Sequence, residues 1–288
     1  MGLFQDHQPP QDPPCTSGGG DEGVTRSLLD LPAEIKRRNT DVIAGSGYMA
    51  PSKINPYYEG LGLYDISSSD AVEAFCTQLD ASHDQRKTIT KYAEAIHELA
   101  MDIMDKLAEA LGLSTLSFED WPCQFRINKY NFTPETVGST GVQIHTDSGF
   151  LTVLQDDEDV GGLEVMDKSG EFVAVEPMPG TLVVNFGDIA TVSNFVFSSF
   201  RNHNASISQR KAPGAMQGSN HTSVNCFVSL GTEGAPVEAP PELVDSEHPR
   251  LYVPFTYKDY RTLRISNNFS AGEALDHVRV NSSQTAQA

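Results

Sequence analysis

The second half of the chain, from about residue 120, is a series of short β-prone segments separated by Gly, Asp, Asn and Pro. The segments are CQFRINKYNF, GVQIHTD, FLTVLQ, GLEVMD, EFVAVEP, GTLVVNFG and SVNCFVSLG. Strands that recur about every 8–12 residues with turn residues between them are typical of β-sandwiches and jelly rolls. DKSGEF, between the fourth and fifth segments, predicts a hairpin turn. This spacing therefore predicts a jelly-roll β core.

The sequence pattern in the first half of the chain predicts helices. Apolar residues recur at steps of three and four in HDQRKTITKYAEAIHELAMDIMDKLAEALGL, and Gly112 follows as a stop, which indicates one long amphipathic helix. SLLDLPAEIKRRN and SSSDAVEAFCTQLD predict shorter helices before it, and a further helix-prone stretch lies at 271–280.

The fold class expected is thus α+β, with N-terminal helices packed on a β core in one domain. We divide the chain into a disordered Pro/Gly-rich tail (1–23), a helical region (24–119), the β core (120–235) and a C-terminal extension packing on that core (236–288).

Composition and charge narrow the class of partner. A formal net charge of −19 disfavours nucleic acid, because phosphate contacts need clustered Lys and Arg. The chain has no apolar run of about 20 residues and no basic, apolar leader at its amino terminus, so we expect a cytoplasmic protein without a membrane partner. The four cysteines form no CxxC pair, and any metal ligands are therefore expected among histidines and carboxylates.

His145 and Asp147 lie two apart in the segment GVQIHTD. Alternate side chains of a strand share one face, so both would project into the interior of a jelly roll. Two imidazoles and one carboxylate form the facial triad of non-heme Fe(II) oxygenases. A second histidine would be needed, and the candidates in the β region are His203 and His221. The alternative is that His145 and Asp147 are an exposed polar pair without a metal, because His-x-Asp sequences also occur at strand edges.

Several segments together resemble the plant 2-oxoglutarate/Fe(II)-dependent dioxygenases, and within them the dioxygenases for auxin oxidation. They are EIKRRNTDVIAGSGYMAPS, FEDWPCQFRINKYN, GVQIHTDSGFLTVLQDDEDVGGLEVMD, PGTLVVNFGDIATV and HPRLYVPFTYKDYRTLR. The resemblance covers about residues 28–280. It implies a double-stranded β-helix core, and Fe(II), 2-oxoglutarate and O₂ as cofactor and cosubstrates, with ascorbate as a reductant.

The resemblance also implies roles for particular residues. His145, Asp147 and His203 match the iron ligands. Asn128 and Tyr130 match the family's NxY element, whose tyrosine donates to the distal carboxylate of 2-oxoglutarate. Ser223 matches the serine of the family's RxS element.

Two departures from the family pattern stand out. Pro213 stands where the arginine of the RxS element falls by spacing, and in NHTSVNCF His221 stands where that arginine belongs. An arginine there would bind the cosubstrate carboxylate through two hydrogen bonds. Arg210 and Lys211, in the rewritten segment before this strand, are candidate substitutes. The resemblance begins only near Ser27, so the N-terminal region is expected to be shorter than in the family.

Three classes of function follow. The first is a dioxygenase, which by resemblance oxidises indole-3-acetic acid to 2-oxindole-3-acetic acid in auxin catabolism, or oxidises another plant small molecule such as a gibberellin or flavonoid. The second is a non-catalytic relative that keeps the fold and the metal but lacks turnover, as the missing arginine would suggest. The third is a cupin-like binding module without iron. The sequence does not decide the oligomeric state.

Overall fold

The structure is a computed structural model that describes residues 23–113, 117–136, 138–155, 161–167, 169–194, 207–210, 221–228 and 234–280. The helices are α1 (Val24–Leu29), α2 (Ala33–Lys36), α3 (Ser69–Gln78), α4 (His83–Ala110), α5 (Asp188–Val192), α6 (Tyr257–Asn267) and α7 (Glu273–His277), with a 3₁₀ turn at Pro241–Leu243. The strands are β1 (Tyr58–Leu63), β2 (Cys123–Tyr130), β3 (Thr140–His145), β4 (Leu151–Gln155), β5 (Leu163–Met166), β6 (Phe172–Val175), β7 (Val183–Phe186), β8 (Ile207–Arg210), β9 (His221–Val228), β10 (Pro236–Val237) and β11 (Phe255–Thr256).

The strands form two main antiparallel sheets. The larger sheet has the order β1-β2-β9-β4-β7, the smaller has the order β3-β8-β5-β6, and β10 pairs with β11 separately. From β2 to β9 the chain alternates between the two main sheets, with the β5–β6 hairpin as one step in the smaller sheet. All seven β segments expected from the sequence are strands, and Gly170 has the positive φ that the hairpin turn requires.

The long amphipathic helix is confirmed as α4. Ser82 caps it, and the Ser82 and Gln85 side chains accept from each other's backbone N–H groups to form a capping box. Gly112 follows the helix with a φ of +72°. The apolar stripe packs on the larger sheet, with the rings of Tyr92 and Phe125 5.6 Å apart, and Tyr92 Oη donates to Gln155 Oε1 at 2.8 Å.

Some features differ from the expectations. The helix expected over SLLDLPAEIKRRN is two helices, α1 and α2, because Pro32 disfavours helical backbone at the residue before it and instead stands at the N-cap of α2. The edge strand β1 was not anticipated, since YEGLGL contains two glycines, which are weak strand formers. Helix α6 was not anticipated either, whereas α3 and the helical stretch at 271–280, which contains α7, agree with the sequence.

Strand β2 lies between β1 and β9 in the larger sheet, and all of its residues are buried. Alternation places Cys123, Phe125 and Ile127 on the face that joins the main hydrophobic cluster with α4. The other face carries the polar residues Gln124 and Arg126, followed by Asn128 and Tyr130. A strand buried on both faces but polar on one of them indicates that the polar face serves a site.

Glycines in β1 bring a loop close to this polar face. A Cβ at Gly62 would lie 1.8 Å from the backbone oxygen of Ser46, so only glycine permits the loop at 44–46 to cross β1 at this point. Asn39 supports the same crossing, because its side chain accepts from the Gly62 N–H and donates to the Gly62 carbonyl.

Candidate active site

His145 and Asp147 come together where β3 ends. His145 Nε2 lies 3.7 Å from Asp147 Oδ1. The His145 Nδ1 atom is 2.9 Å from the backbone oxygen of Gln143, and because a carbonyl only accepts, Nδ1 donates this hydrogen bond. The tautomer so selected carries its lone pair on Nε2, the atom that faces the carboxylate. A backbone carbonyl that orients a histidine in this way is the usual outer support of a metal ligand.

The two carboxylate oxygens of Asp147 have different partners. Oδ2 accepts from Thr152 Oγ1 at 2.6 Å and from Asn185 Nδ2 at 2.9 Å. Thr152 on β4 and Asn185 on β7 are direct partners in the antiparallel register, so the sheet itself places both donors on the same oxygen. Oδ1 is left to face His145. The side chain is 7% exposed, and its geometry is therefore set by protein groups.

The backbone that carries Asp147 is clamped by the start of α5. The N–H of Asp188 donates to the Asp147 carbonyl at 2.8 Å, and the N–H of Ile189 donates to the Gly149 carbonyl at 3.1 Å. A Cβ at Gly187 would lie 2.6 Å from the Asp147 oxygen and 2.3 Å from the Gly149 oxygen. Glycine at 187 is therefore required for this close approach.

Helix α6 holds the same segment from the other side. Arg264 donates to the Thr146 carbonyl at 2.8 Å and forms an ion pair with the fully buried Asp188. Tyr260 donates to Asp188 Oδ2 at 2.6 Å. Burial raises the pKa of the Asp188 carboxyl, an effect that Arg264 and then Tyr260 oppose. Burial, and then the charge of Asp188, raises the pKa of Tyr260, so its hydroxyl stays protonated as a donor.

A cavity of about 430 Å³ opens beside His145 and Asp147. Residues of both main sheets, of α6 and of the loops at 45–55 and 268–270 line it. Apolar side chains contribute to the wall, including Met49, Val142 and Phe269. Among the described lining residues, Asp147 is the only carboxylate, whereas three are arginines. This volume and mixture are typical of a small-molecule site.

The remaining residues singled out from the sequence have different outcomes. Asn128 is buried and accepts from Tyr58 Oη at 2.8 Å, and Tyr130 packs with Tyr58, with ring centroids 5.6 Å apart. Both share a strand face with Arg126, yet neither is among the described residues that line the cavity. Ser223 lies on β9 directly opposite Asn128 in the register. His203 lies outside the described residues.

Several functional side chains were not anticipated from the sequence. Thr152 and Asn185 orient Asp147, and Gln124 and Arg126 line the cavity from β2. The alternation of polar and apolar residues in CQFRINKY is a signal that could have indicated the last two, since it places charge on a face of a buried strand. The donors to Asp147 depend on cross-strand pairing and leave no sequence signal.

The donor set fits a non-heme iron. One imidazole nitrogen with a free lone pair and one ordered carboxylate oxygen face each other at the wall of a cavity, and both are supported by a second layer of hydrogen bonds. In the part of the chain that the structure describes, no third His, Cys, Asp or Glu joins them.

Comparison with known proteins shows the family of the chain. The model of the 2OG-Fe(II) oxygenase superfamily matches residues 121–228, which contain β2 to β9. The chain belongs to the 2-oxoglutarate-dependent Fe(II) oxygenases, enzymes that use Fe(II), 2-oxoglutarate and O₂. The domain boundaries given above remain predictions.

Within this family, the chain is similar to dioxygenases for auxin oxidation. The chain is 50% identical over 255 residues to the 2-oxoglutarate-dependent dioxygenase DAO of Oryza sativa, a match that covers 88% of this chain and 82% of the relative. It also matches the crystal structure of the rice dioxygenase for auxin oxidation, with a TM-score of 0.76 and 49% identity over 89% of this chain and 83% of that one. A third match is dioxygenase for auxin oxidation 1 of Arabidopsis thaliana in its 2-oxoglutarate binary complex, with a TM-score of 0.71 and 52% identity over 79% of this chain and 83% of that one.

None of the described helices is long and apolar enough to span a membrane.

Proposed function

We propose that the protein is a dioxygenase that oxidises the auxin indole-3-acetic acid to 2-oxindole-3-acetic acid, with Fe(II) held by His145, Asp147 and His203. The pairing of His145 Nε2 with Asp147 Oδ1 at the wall of the cavity carries the proposal. The likeness to the rice and Arabidopsis auxin dioxygenases supports the choice of substrate.

The chain's own residues would serve this reaction by positioning. When bound, Fe(II) and 2-oxoglutarate together activate O₂, and 2-oxoglutarate leaves as succinate and CO₂. Thr152 and Asn185 hold Asp147 so that one oxygen remains for the metal, and the Gln143 carbonyl holds the tautomer of His145. The cavity, lined partly by apolar side chains, would accommodate the organic substrate.

We further infer that the two sheets are the halves of a double-stranded β-helix. The alternation of the chain between the sheets from β2 to β9 supports this architecture, as does the likeness to the dioxygenase structures. In this arrangement Asn128, Tyr130 and Ser223 lie near one another on adjacent strands, which supports their assignment to 2-oxoglutarate. The cytoplasmic location expected from composition remains a prediction.

The test is a turnover assay on the purified full chain with Fe(II), ascorbate, 2-oxoglutarate and O₂. We expect succinate to accumulate in proportion to oxidised auxin, and the variant Asp147→Ala to abolish both. A gibberellin and a flavonoid serve as alternative substrates. If succinate forms with the gibberellin or the flavonoid but not with auxin, the proposal that auxin is the substrate is refuted.

A second candidate, a relative that binds metal without turnover, is favoured by the absence of an arginine from β9, where His221 stands opposite Tyr130 in the register. Calorimetric titration of 2-oxoglutarate distinguishes it. The variant His221→Arg is the matched control, because it restores the arginine that the family has there. If the parent chain does not bind 2-oxoglutarate and His221→Arg does, the protein is a relative without turnover.

A further inference from the structure

The residue between the two candidate iron ligands takes its hydrogen-bond partners from the C-terminal extension. Strand β3 ends at His145, and Thr146 follows it with only 2% of its surface exposed. Buried backbone groups need partners, and here the Thr146 N–H donates to the Ser270 carbonyl at 2.7 Å. Arg264 Nη2 donates to the Thr146 carbonyl at 2.8 Å, and Nη1 donates to Thr146 Oγ1 at 3.3 Å. The segment that carries the ligands is thus held by a helix that follows it 118 positions later in the chain.

Three consecutive peptide groups run from His145 through Asp147, and each has a partner from another part of the chain. The Thr146 N–H belongs to the first and the Thr146 carbonyl to the second. The third contains the Asp147 carbonyl, which accepts from the N–H of Asp188 at 2.8 Å. The second and third groups flank the Asp147 Cα. Because peptide groups are planar, holding both of them sets the direction in which the Asp147 side chain leaves the backbone.

An ion pair joins the two groups that hold the Asp147 backbone. Arg264, which holds the second peptide group, pairs with the carboxylate of Asp188, which holds the third, and these side chains are 12% and 0% exposed. Tyr260, also on α6, donates to the same carboxylate at 2.6 Å. Asp188 therefore uses its backbone to hold Asp147 and its side chain to hold α6. A displacement of Arg264 would reach the Asp147 backbone from both sides.

The end of α6 brings Ser270 back to Arg264. Asn268 has a left-handed conformation with a φ of +54°, and the Phe269 N–H donates to the Arg264 carbonyl at 2.9 Å. This turn lets Arg264 Nη2 donate to the Ser270 carbonyl at 2.9 Å. The C-cap of α6 and the support of the ligand segment are therefore one structure.

This set of contacts requires a guanidinium. Nη2 of Arg264 donates to the Thr146 and Ser270 carbonyls, while Nη1 pairs with Asp188. The two terminal nitrogens of arginine carry separate pairs of donors in a fixed plane, so one side chain can bind a backbone segment and a carboxylate at once. A lysine at this position would keep the charge but present its three donors from a single atom.

Arg264 also lines the cavity beside His145 and Asp147. An arginine in a cavity wall can bind a ligand or hold the wall. Both terminal nitrogens of Arg264 already donate to protein oxygens, and the buried carboxylate of Asp188 balances its charge. These partners assign the side chain to the protein's own backbone.

We propose that Arg264 is a positioning residue for the iron site, which through Thr146 and Asp188 fixes the backbone of Asp147 relative to His145. The inference rests on the proposed function in that it takes His145 and Asp147 as iron ligands. It makes the end of α6 part of the apparatus that binds the metal, although Arg264 is not itself a ligand.

The test measures metal binding by the purified full chain without oxygen. Competition with a chromophoric chelator gives the Fe(II) affinity, and the absorption spectrum of the Co(II)-saturated protein reports the coordination geometry. The variants are Arg264→Lys, which keeps the charge beside Asp188, and Arg264→Met/Asp188→Asn, which removes both charges of the pair. Arg250→Met is the matched control, because Arg250 also lies in the C-terminal extension, pairs with Glu238 and donates to the Ala239 carbonyl at 3.3 Å.

For Arg264→Lys we expect the Fe(II) affinity to fall about tenfold, because the charge remains but the fork that holds the Thr146 carbonyl is lost. For Arg264→Met/Asp188→Asn we expect a loss of about 100-fold. Both variants should show an altered Co(II) spectrum at saturation, which a residue that only stabilises the fold would not change. Arg250→Met should bind Fe(II) within about twofold of the parent and keep the parent spectrum. Circular dichroism confirms folding, and Arg264→Lys keeps the test valid if the double variant is unstable.

Parent-like Fe(II) affinity and Co(II) spectra in folded Arg264 variants would overturn the inference and leave Arg264 with a role in stability alone. An equal loss of affinity in Arg250→Met would also overturn it, since any ion pair of the C-terminal extension would then have the same effect. If the Arg264 variants lose iron as expected but the parent oxidises no auxin, the proposed function fails while this inference stands. If the parent oxidises auxin and the variants bind iron as the parent does, the inference alone fails. A parent chain that binds no Fe(II) would refute both.

Discussion

Replacing Thr152 by valine should weaken iron binding through Asp147 with little change in shape. Thr152 is 3% exposed, and its hydroxyl donates to Asp147 Oδ2 at 2.6 Å. Valine fills almost the same volume but donates nothing. Among the described residues, Asn185 Nδ2 is then the remaining donor to the carboxylate, at 2.9 Å, and the freedom of Oδ1 to rotate away from His145 increases.

The magnitude can be worked out in two ways. A hydrogen bond to a charged group contributes about 1.5–3 kcal/mol. The loss of an outer support of a metal ligand typically costs about 10–100-fold in metal affinity, or about 1.4–2.8 kcal/mol. Because Asn185 still donates to the same oxygen, we expect a loss of iron affinity of about tenfold for Thr152→Val and of about 100-fold for the double variant Thr152→Val/Asn185→Leu.

The assay is anaerobic Fe(II) titration in competition with a chromophoric chelator, with circular dichroism to confirm that each variant is folded. Thr152→Ser is the matched control, because it keeps the hydroxyl and should bind iron within about twofold of the parent. Equal iron affinity for parent, Thr152→Val and the double variant, all folded, would refute the idea that Asp147 is an oriented metal ligand.

Two further predictions concern the fold that carries the site. Lys36→Met should lower the free energy of unfolding by about 3–5 kcal/mol, because it leaves Glu59 buried without its cation; chemical denaturation measures this, and recovery in Lys36→Met/Glu59→Leu would be expected, while a stable single variant would contradict the reasoning. Ser82→Ala should cost about 1 kcal/mol through loss of the α4 cap, seen as a lower midpoint in denaturant, whereas Ser82→Asp should retain the parent midpoint. An unchanged midpoint for Ser82→Ala would show that the capping box does not contribute to stability.

The order of helices and strands could be read from the chain because local patterns carry it. The three- and four-residue steps in α4 and the alternation in β2 are properties of neighbouring residues, so they survive without knowledge of the fold. The failure to predict β1 has a nonlocal cause. The edge strand β1 is built on Gly60 and Gly62, whose value lies in the atoms they admit from β2 and from the loop at 44–46. No propensity scale registers such a contact.

The candidate site likewise has features that the sequence predicts and features that depend on the tertiary structure. That His145 and Asp147 lie close together was predicted from their spacing of two along one strand, but β3 ends at His145 and Asp147 lies in the segment that follows it. That Thr152 and Asn185 meet on one oxygen of Asp147 depends on the register between β4 and β7, whose residues are distant in the chain.

The sequence by itself therefore determined the long helix α4, the strands of the β core named above, the pair of candidate iron ligands and the family, because each depends on residues close together or on a motif read as a whole. Only the tertiary structure decided which oxygen of Asp147 accepts from Thr152 and Asn185 and which faces His145, and that Arg126 and Gln124 line the same cavity. The physical reason is that hydrogen-bond saturation is a property of all the groups around an atom. Those groups come together only when distant strands pair and a loop crosses over them.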